Sequence, residues 1–165
     1  MPTPRLPKRA LPILALAGGL LSIALGSTAA LLISITQHTP IDVAAAPRAH
    51  EKLCTTVTQN WPHDISGHPR IPTTSDPQGS AAWGKPAIIA RCGITSPGPT
   101  TDECIDVNGV DWIIRHLDDG MQFISYGRSP AVEVLVPKKY APEPLVLSAF
   151  APSVQKIPQT KGKCM

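Results

Sequence analysis

The chain has 165 residues, is 42% hydrophobic and carries a net charge of +3 at pH 7. That length suits one domain plus a terminal segment, and the composition is that of a globular protein. Beyond Pro47, 12 Lys and Arg face 11 Asp and Glu, a balance of +1 that leaves no electrostatic case for nucleic acid or for a strongly acidic partner.

Residues 1–9 hold three basic side chains, Arg5, Lys8 and Arg9. Ala10–Ile35 follows without a single charge. As a helix it spans about 39 Å, enough for a hydrocarbon core of about 30 Å. Pro12 falls in the first turn, where a helix tolerates it. No Lys or Arg follows until Arg48, so the positive-inside rule predicts a cytoplasmic N-terminus with the bulk of the chain outside. The expected division is a basic cytoplasmic tail at 1–9, a single transmembrane helix at 10–35, a linker at 36–49 and an extracytoplasmic domain at 50–165. The alternative is a secreted protein cleaved near Ala45, after Val43-Ala44. Against it, the apolar run exceeds the usual signal-peptide core of about 7–15 residues.

Cys54, Cys92, Cys104 and Cys164 all fall on the exported side. An even count there predicts two disulfides, and spacing alone leaves three pairings open. No C-x-x-C pair supports a metal or redox-active centre.

Glu51–Trp61 is expected to form a short helix with Cys54 inside, although Thr55–Thr58 are weak helix formers. His63–Ser80, rich in Pro, Ser, Thr, Gly and Asp, reads as an exposed loop. Ala87–Cys92 is an apolar strand closed by Gly93. Thr95–Thr101 is a Pro/Gly turn region. Cys104–Val107 and Val110–Leu117 flank Asn108-Gly109, the strongest short hairpin signal, because a type I′ turn needs positive φ at both positions. Asp118-Asp119-Gly120 turns again before the strand Met121–Tyr126. Gly127–Pro130 turns into Ala131–Val136, where Val132, Val134 and Val136 share a face opposite Glu133. Leu145–Gln155 is expected as a last helix, with Leu145, Leu147, Phe150 and Val154 inward. A polar tail from Pro158 to Met165 is pinned by Cys164. The predicted fold class is α+β: behind the transmembrane helix, a small antiparallel sheet of about four strands flanked by helices and stapled by disulfides.

Chemical signals are sparse. His63, Asp64 and His68 fall in a polar loop, and His116 shares a strand face with Trp112 and Ile114. Asp118 and Asp119 precede a glycine and suit turn formation. Ser125 and Ser129 lack the G-x-S-x-G context, and neither a P-loop nor a dinucleotide fingerprint is present. Trp83 and Trp112 read as core aromatics rather than a sugar platform. Arg91 and Arg128 each sit beside a strand end and a special backbone element. Exposed, they would bind a carboxylate or phosphate in bidentate fashion; otherwise they pair with Asp106, Asp111 or Glu133. No catalytic or metal-binding residue and no cofactor is assigned.

Trp83-Gly84-Lys85-Pro86-Ala87-Ile88-Ile89-Ala90-Arg91-Cys92-Gly93 resembles the signature of an actinobacterial family of exported or membrane-anchored proteins of unknown function. Cys54 with Trp61-Pro62, Val107–Trp112, and Tyr126-Gly127-Arg128 leading to Val132-Glu133-Val134 match in the same order. The resemblance covers roughly Cys54–Phe150. It implies an exported single domain and no particular activity. It also implies that Cys54 pairs with Cys92, which leaves Cys104 with Cys164; a local Cys92–Cys104 bridge stays open. The expectation is a non-enzymatic module of the cell envelope, integral to the membrane and binding another envelope protein or wall component. The alternatives are a binding domain for a small anionic envelope ligand at Arg91 and Arg128, or an envelope hydrolase.

Overall fold

The computed structural model describes residues 40–74 and 79–165. The expected basic tail at 1–9 and membrane span at 10–35 lie outside the described residues. Among the described residues, no helix is long and apolar enough to cross a membrane. A compact unit begins at Pro40, inside the stretch expected as a linker. Val43, Ala46 and Ala49 are buried there, and the Arg48 amide donates to Gly93 O at 2.9 Å.

Helix α1 (Lys52–Gln59) forms because Cys54, Val57 and Thr58 recur at helical spacing and are buried together. The strands follow: β1 (Asp64–Ile65), β2 (His68–Ile71), β3 (Ser80–Trp83), β4 (Ile88–Ile94), β5 (Cys104–Val107), β6 (Val110–His116), β7 (Gly120–Ser125) and β8 (Ala131–Pro137). They make one antiparallel sheet in the order β1-β2-β3-β4-β8-β7-β6-β5. The antiparallel sheet is as expected, but it has eight strands rather than about four. A meander, β5–β8, returns to lay β8 beside β4, so the strand that carries Cys92-Gly93 sits centrally.

The added strands come from the stretch expected as a loop. Ser66 and Gly67 take positive φ (52° and 83°), and the Gly67 amide donates to Asp64 Oδ1 at 2.7 Å, closing a tight turn between β1 and β2. Strand β3 is Ser-Ala-Ala-Trp, buried at all four positions. The last helix also differs. A 3₁₀ helix over Glu143–Ala149 runs into α2 (Ala151–Val154), following another short 3₁₀ turn at Lys138–Tyr140. The three-residue period of the 3₁₀ turn places Val146 inside and leaves Leu145 70% exposed, reversing the expected inner face at that position.

Register assigns the two sheet faces. Ala81, Trp83, Ile88, Ala90, Cys92, Val132, Val134, Phe123 and Trp112 lie on the core face. Helix α1 covers it through the Cys54–Cys92 disulfide, and Phe150 meets the Trp83 ring edge-on at 5.3 Å. Arg91, Glu133 and Gln122 alternate onto the opposite face.

Candidate functional site

Arg91 on β4 and Glu133 on β8 are direct register partners. Arg91 Nε donates to Glu133 Oε2 at 2.6 Å, and Gln122 Nε2 of β7 donates to Glu133 Oε1 at 2.6 Å. Arg91 Nη1 also reaches Ala44 O at 3.3 Å. The Glu133 side chain is 4% exposed and that of Arg91 25%, so a nearly dry carboxylate is neutralised by an arginine at the rim. The ladder ties three adjacent strands and the stretch at Ala44 together.

Arg128 lies elsewhere, in the β7–β8 connection, and is buried. Its Nη1 donates to Ile157 O and its Nη2 to Gly109 O at 3.1 Å, while Nε has no partner among the described residues. Burial lowers the guanidinium from its ordinary value and the Asp111 carboxylate opposes that shift. Asp111 in turn accepts from Gln159 Nε2 at 2.7 Å and from the Cys164 amide at 3.2 Å. The Thr160 and Lys161 amides donate to Gly127 O at 2.9 and 3.2 Å. The C-terminal tail therefore straps down the Asp111–Gly127–Arg128 corner, and the Cys104–Cys164 disulfide fixes its end.

The two arginines therefore occupy separate places, and both hold internal partners. Neither lines two apolar cavities among the described residues. One, of about 210 Å³, is walled by Ile89, Leu117, Met121, Leu135 and Pro137. The other, of about 190 Å³, lies between Pro97, Pro99, Tyr126 and Lys161. The disulfides pair as the resemblance implied, Cys54 with Cys92 and Cys104 with Cys164, and no local Cys92–Cys104 bridge forms.

The remaining polar residues are dispersed. His68 packs edge-on against Tyr140, with ring centroids 5.1 Å apart, and His63 is exposed. His116 meets Glu103 at 3.7 Å on the surface. Asp118 and Asp119 form the exposed turn before β7. Ser125 Oγ accepts from the Val132 amide, and Ser129 Oγ from Arg48. Trp83 and Trp112 are core residues; Trp83 Nε1 donates to Pro62 O, and Trp112 Nε1 has no partner among the described residues. Among the described residues, no three His, Cys, Asp or Glu side chains converge to hold a metal. Sequence reasoning missed Gln122 and Gln159. Both become visible only through register or tail docking, and neither carries a local motif.

No curated protein and no solved structure matches this chain. One family model, described as a protein of unknown function, matches residues 10–161, nearly the whole length. On that match the chain belongs to the DUF3515 family of proteins of unknown function.

Proposed function

We propose that this chain is a single-pass, membrane-anchored protein of the actinobacterial cell envelope. In this reading residues 10–35 form the anchor, the N-terminus is cytoplasmic and the disulfide-stapled domain lies outside as a non-enzymatic interaction module. The observation that carries the reading is the pair of disulfides, since such bonds persist in oxidising compartments. The uncharged Ala10–Ile35 run behind three basic residues supports the anchor and its orientation. Of the polar groups singled out in the sequence, Arg91 is held by Glu133, and Arg128 by the Ile157 and Gly109 carbonyls. That arrangement favours a recognition scaffold over a small anionic ligand at those two arginines, because such a ligand must displace internal partners at both.

The test is crosslinking of the tagged full-length protein in intact cells, followed by mass spectrometry of what copurifies. A reproducible membrane or wall-synthesis partner supports the interaction module and names its pathway. A specific copurifying partner that is absent from the envelope, or none at all, overturns it. In the latter case a ligand screen centred on Arg91 and Arg128 decides the anionic-ligand alternative.

A further inference from the structure

The C-terminal tail is bound to the domain as a ligand is bound to a receptor. Ile157 offers a carbonyl to Arg128, Gln159 and the Cys164 amide donate to Asp111, and the Thr160 and Lys161 amides donate to Gly127 O. Residues Arg128 and Gln159 form an antiparallel bridge. Gly127 has φ of 72° and lies so close to the Lys161 and Gly162 carbonyls that any Cβ would overlap them. Gly162 in turn lies against the Tyr126 ring. Main-chain pairing to a strand-end segment, with side-chain positions read separately, is how sheet proteins take up extended peptides. The Arg128 Nε donor, buried and without a partner among the described residues, is unused by the tail.

The two disulfides differ in setting. Cys54 and Cys92 are fully buried in the core. Cys104 and Cys164 are both partly exposed, with Cys104 on the edge strand β5. Exchange by an external thiolate depends on access, so the edge bond is the one open to attack.

We propose that Asp111, Gly127 and Arg128 form a groove for an extended, thiol-bearing peptide, that the chain's own residues 157–164 fill it in cis, and that the Cys104–Cys164 disulfide is its exchangeable latch. The exchange needs no outside oxidant. The thiolate of the incoming peptide attacks Cys104 Sγ, the Cys104–Cys164 bond breaks, and Cys164 leaves as a thiolate that takes up the proton the peptide thiol gave up. One disulfide is lost and one is formed. This proposal rests on the interaction-module reading, but its test uses purified protein and is independent of what copurifies from cells.

The oxidised full-length chain in detergent is incubated with a synthetic peptide of the sequence Ile157–Met165, or with a scrambled peptide that keeps the cysteine in place. Mixed disulfides are then mapped by unreduced mass spectrometry. The native sequence should capture Cys104 about tenfold faster than the scramble, the factor that one net hydrogen bond to a charged group supplies. Cys54–Cys92 should stay intact throughout. Asp111→Asn, which removes the charged acceptor of the Gln159 side chain, should bring the two rates together. Equal rates for the two peptides in the unmodified chain overturn the groove. A second measurement needs no variant: after selective reduction of Cys104–Cys164, hydrogen exchange at the Thr160 and Lys161 amides should rise about tenfold or more. Unchanged protection there overturns the latch.

Discussion

Glu133 shows how burial makes an ion pair asymmetric. Its side chain is 4% exposed while Arg91 is 25% exposed, so the arginine can recover hydration and the carboxylate cannot. Removing the arginine strands a charge in a dry place; removing the carboxylate frees one near water. Arg91→Met should therefore cost about 3 kcal/mol in urea unfolding and Glu133→Gln about 1 kcal/mol. Equal costs would refute this account of the pair. The sequence names Arg91 and offers Glu133 as one of three partners, but only the register Arg91↔Glu133 selects it. Tyr140 gives the pH-dependent counterpart. Burial raises its hydroxyl above the ordinary 10.0, against a smaller lowering by the Lys85 backbone, and the hydroxyl donates to Pro86 O at 2.7 Å. A group whose folded value is raised contributes stability that is present below its unfolded value and lost as the pH rises through the folded one. The unfolded chain ionises first, so stability should fall above about pH 10. Tyr140→Phe should cost about 1 kcal/mol near neutrality, for the lost bond to Pro86 O, and should remove part of the alkaline decline. Urea midpoints on both sides of that pH measure each effect.

At the scale of the element, β4 is governed by Gly93. The residue has φ of 106°, sits at the irregularity between Cys92 and Ile94, and faces the Arg48 and Ala49 backbone where a Cβ would overlap. A bulge in a central strand turns the chain at that point, and only glycine allows both the angle and the approach. Gly93→Ala should destabilise the domain by about 2–4 kcal/mol. Gly98, with open space around its Cα, should accept alanine within about 0.5 kcal/mol, and thermal unfolding of the two variants side by side tests the contrast. Gly93 thus has a physical reason to close the Arg91-Cys92-Gly93 motif that the sequence shows only as letters. Elements with local signals were legible in the same way. Asn108 and Gly109 take φ of 52° and 75°, as their hairpin turn requires, and β5 to β8 follow the alternation around them. Strands β1 to β3 were hidden because β1 has two residues, β2 contains Pro69, and Ser80–Ala82 lack the branched side chains that mark a strand. The last helix broke at its prolines: Pro144 and Pro152 each sit at the start of a short helix rather than within a long one.

Over the whole molecule, the disulfides divide the work of holding the sheet together. They close separations of 38 and 60 residues, and loop-closure entropy alone assigns each about 4 kcal/mol. Chain entropy therefore does not distinguish them; packing does. Cys54 and Cys92 join α1 to the central strand and are fully buried with Val57, Trp83 and Phe150 in one cluster. Cys104 and Cys164 join an edge strand to a tail that is also held by Asp111, Gly127 and Arg128. Replacing the first pair with alanine loses the cross-link and leaves a cavity, so its cost exceeds the entropic figure. The second replacement exposes no core, and the tail's own hydrogen bonds offset part of what is lost. Against a domain stability of about 5–15 kcal/mol, the core pair decides whether the domain folds and the edge pair decides how firmly the tail stays down. Urea unfolding of Cys54→Ala/Cys92→Ala and Cys104→Ala/Cys164→Ala tests this directly. The first double variant should be largely unfolded at 37 °C, and the second should unfold cooperatively with a loss of at most about 4 kcal/mol. Equal losses would show that the two bonds act only through the unfolded chain, and the distinction between staple and latch would fall with that result.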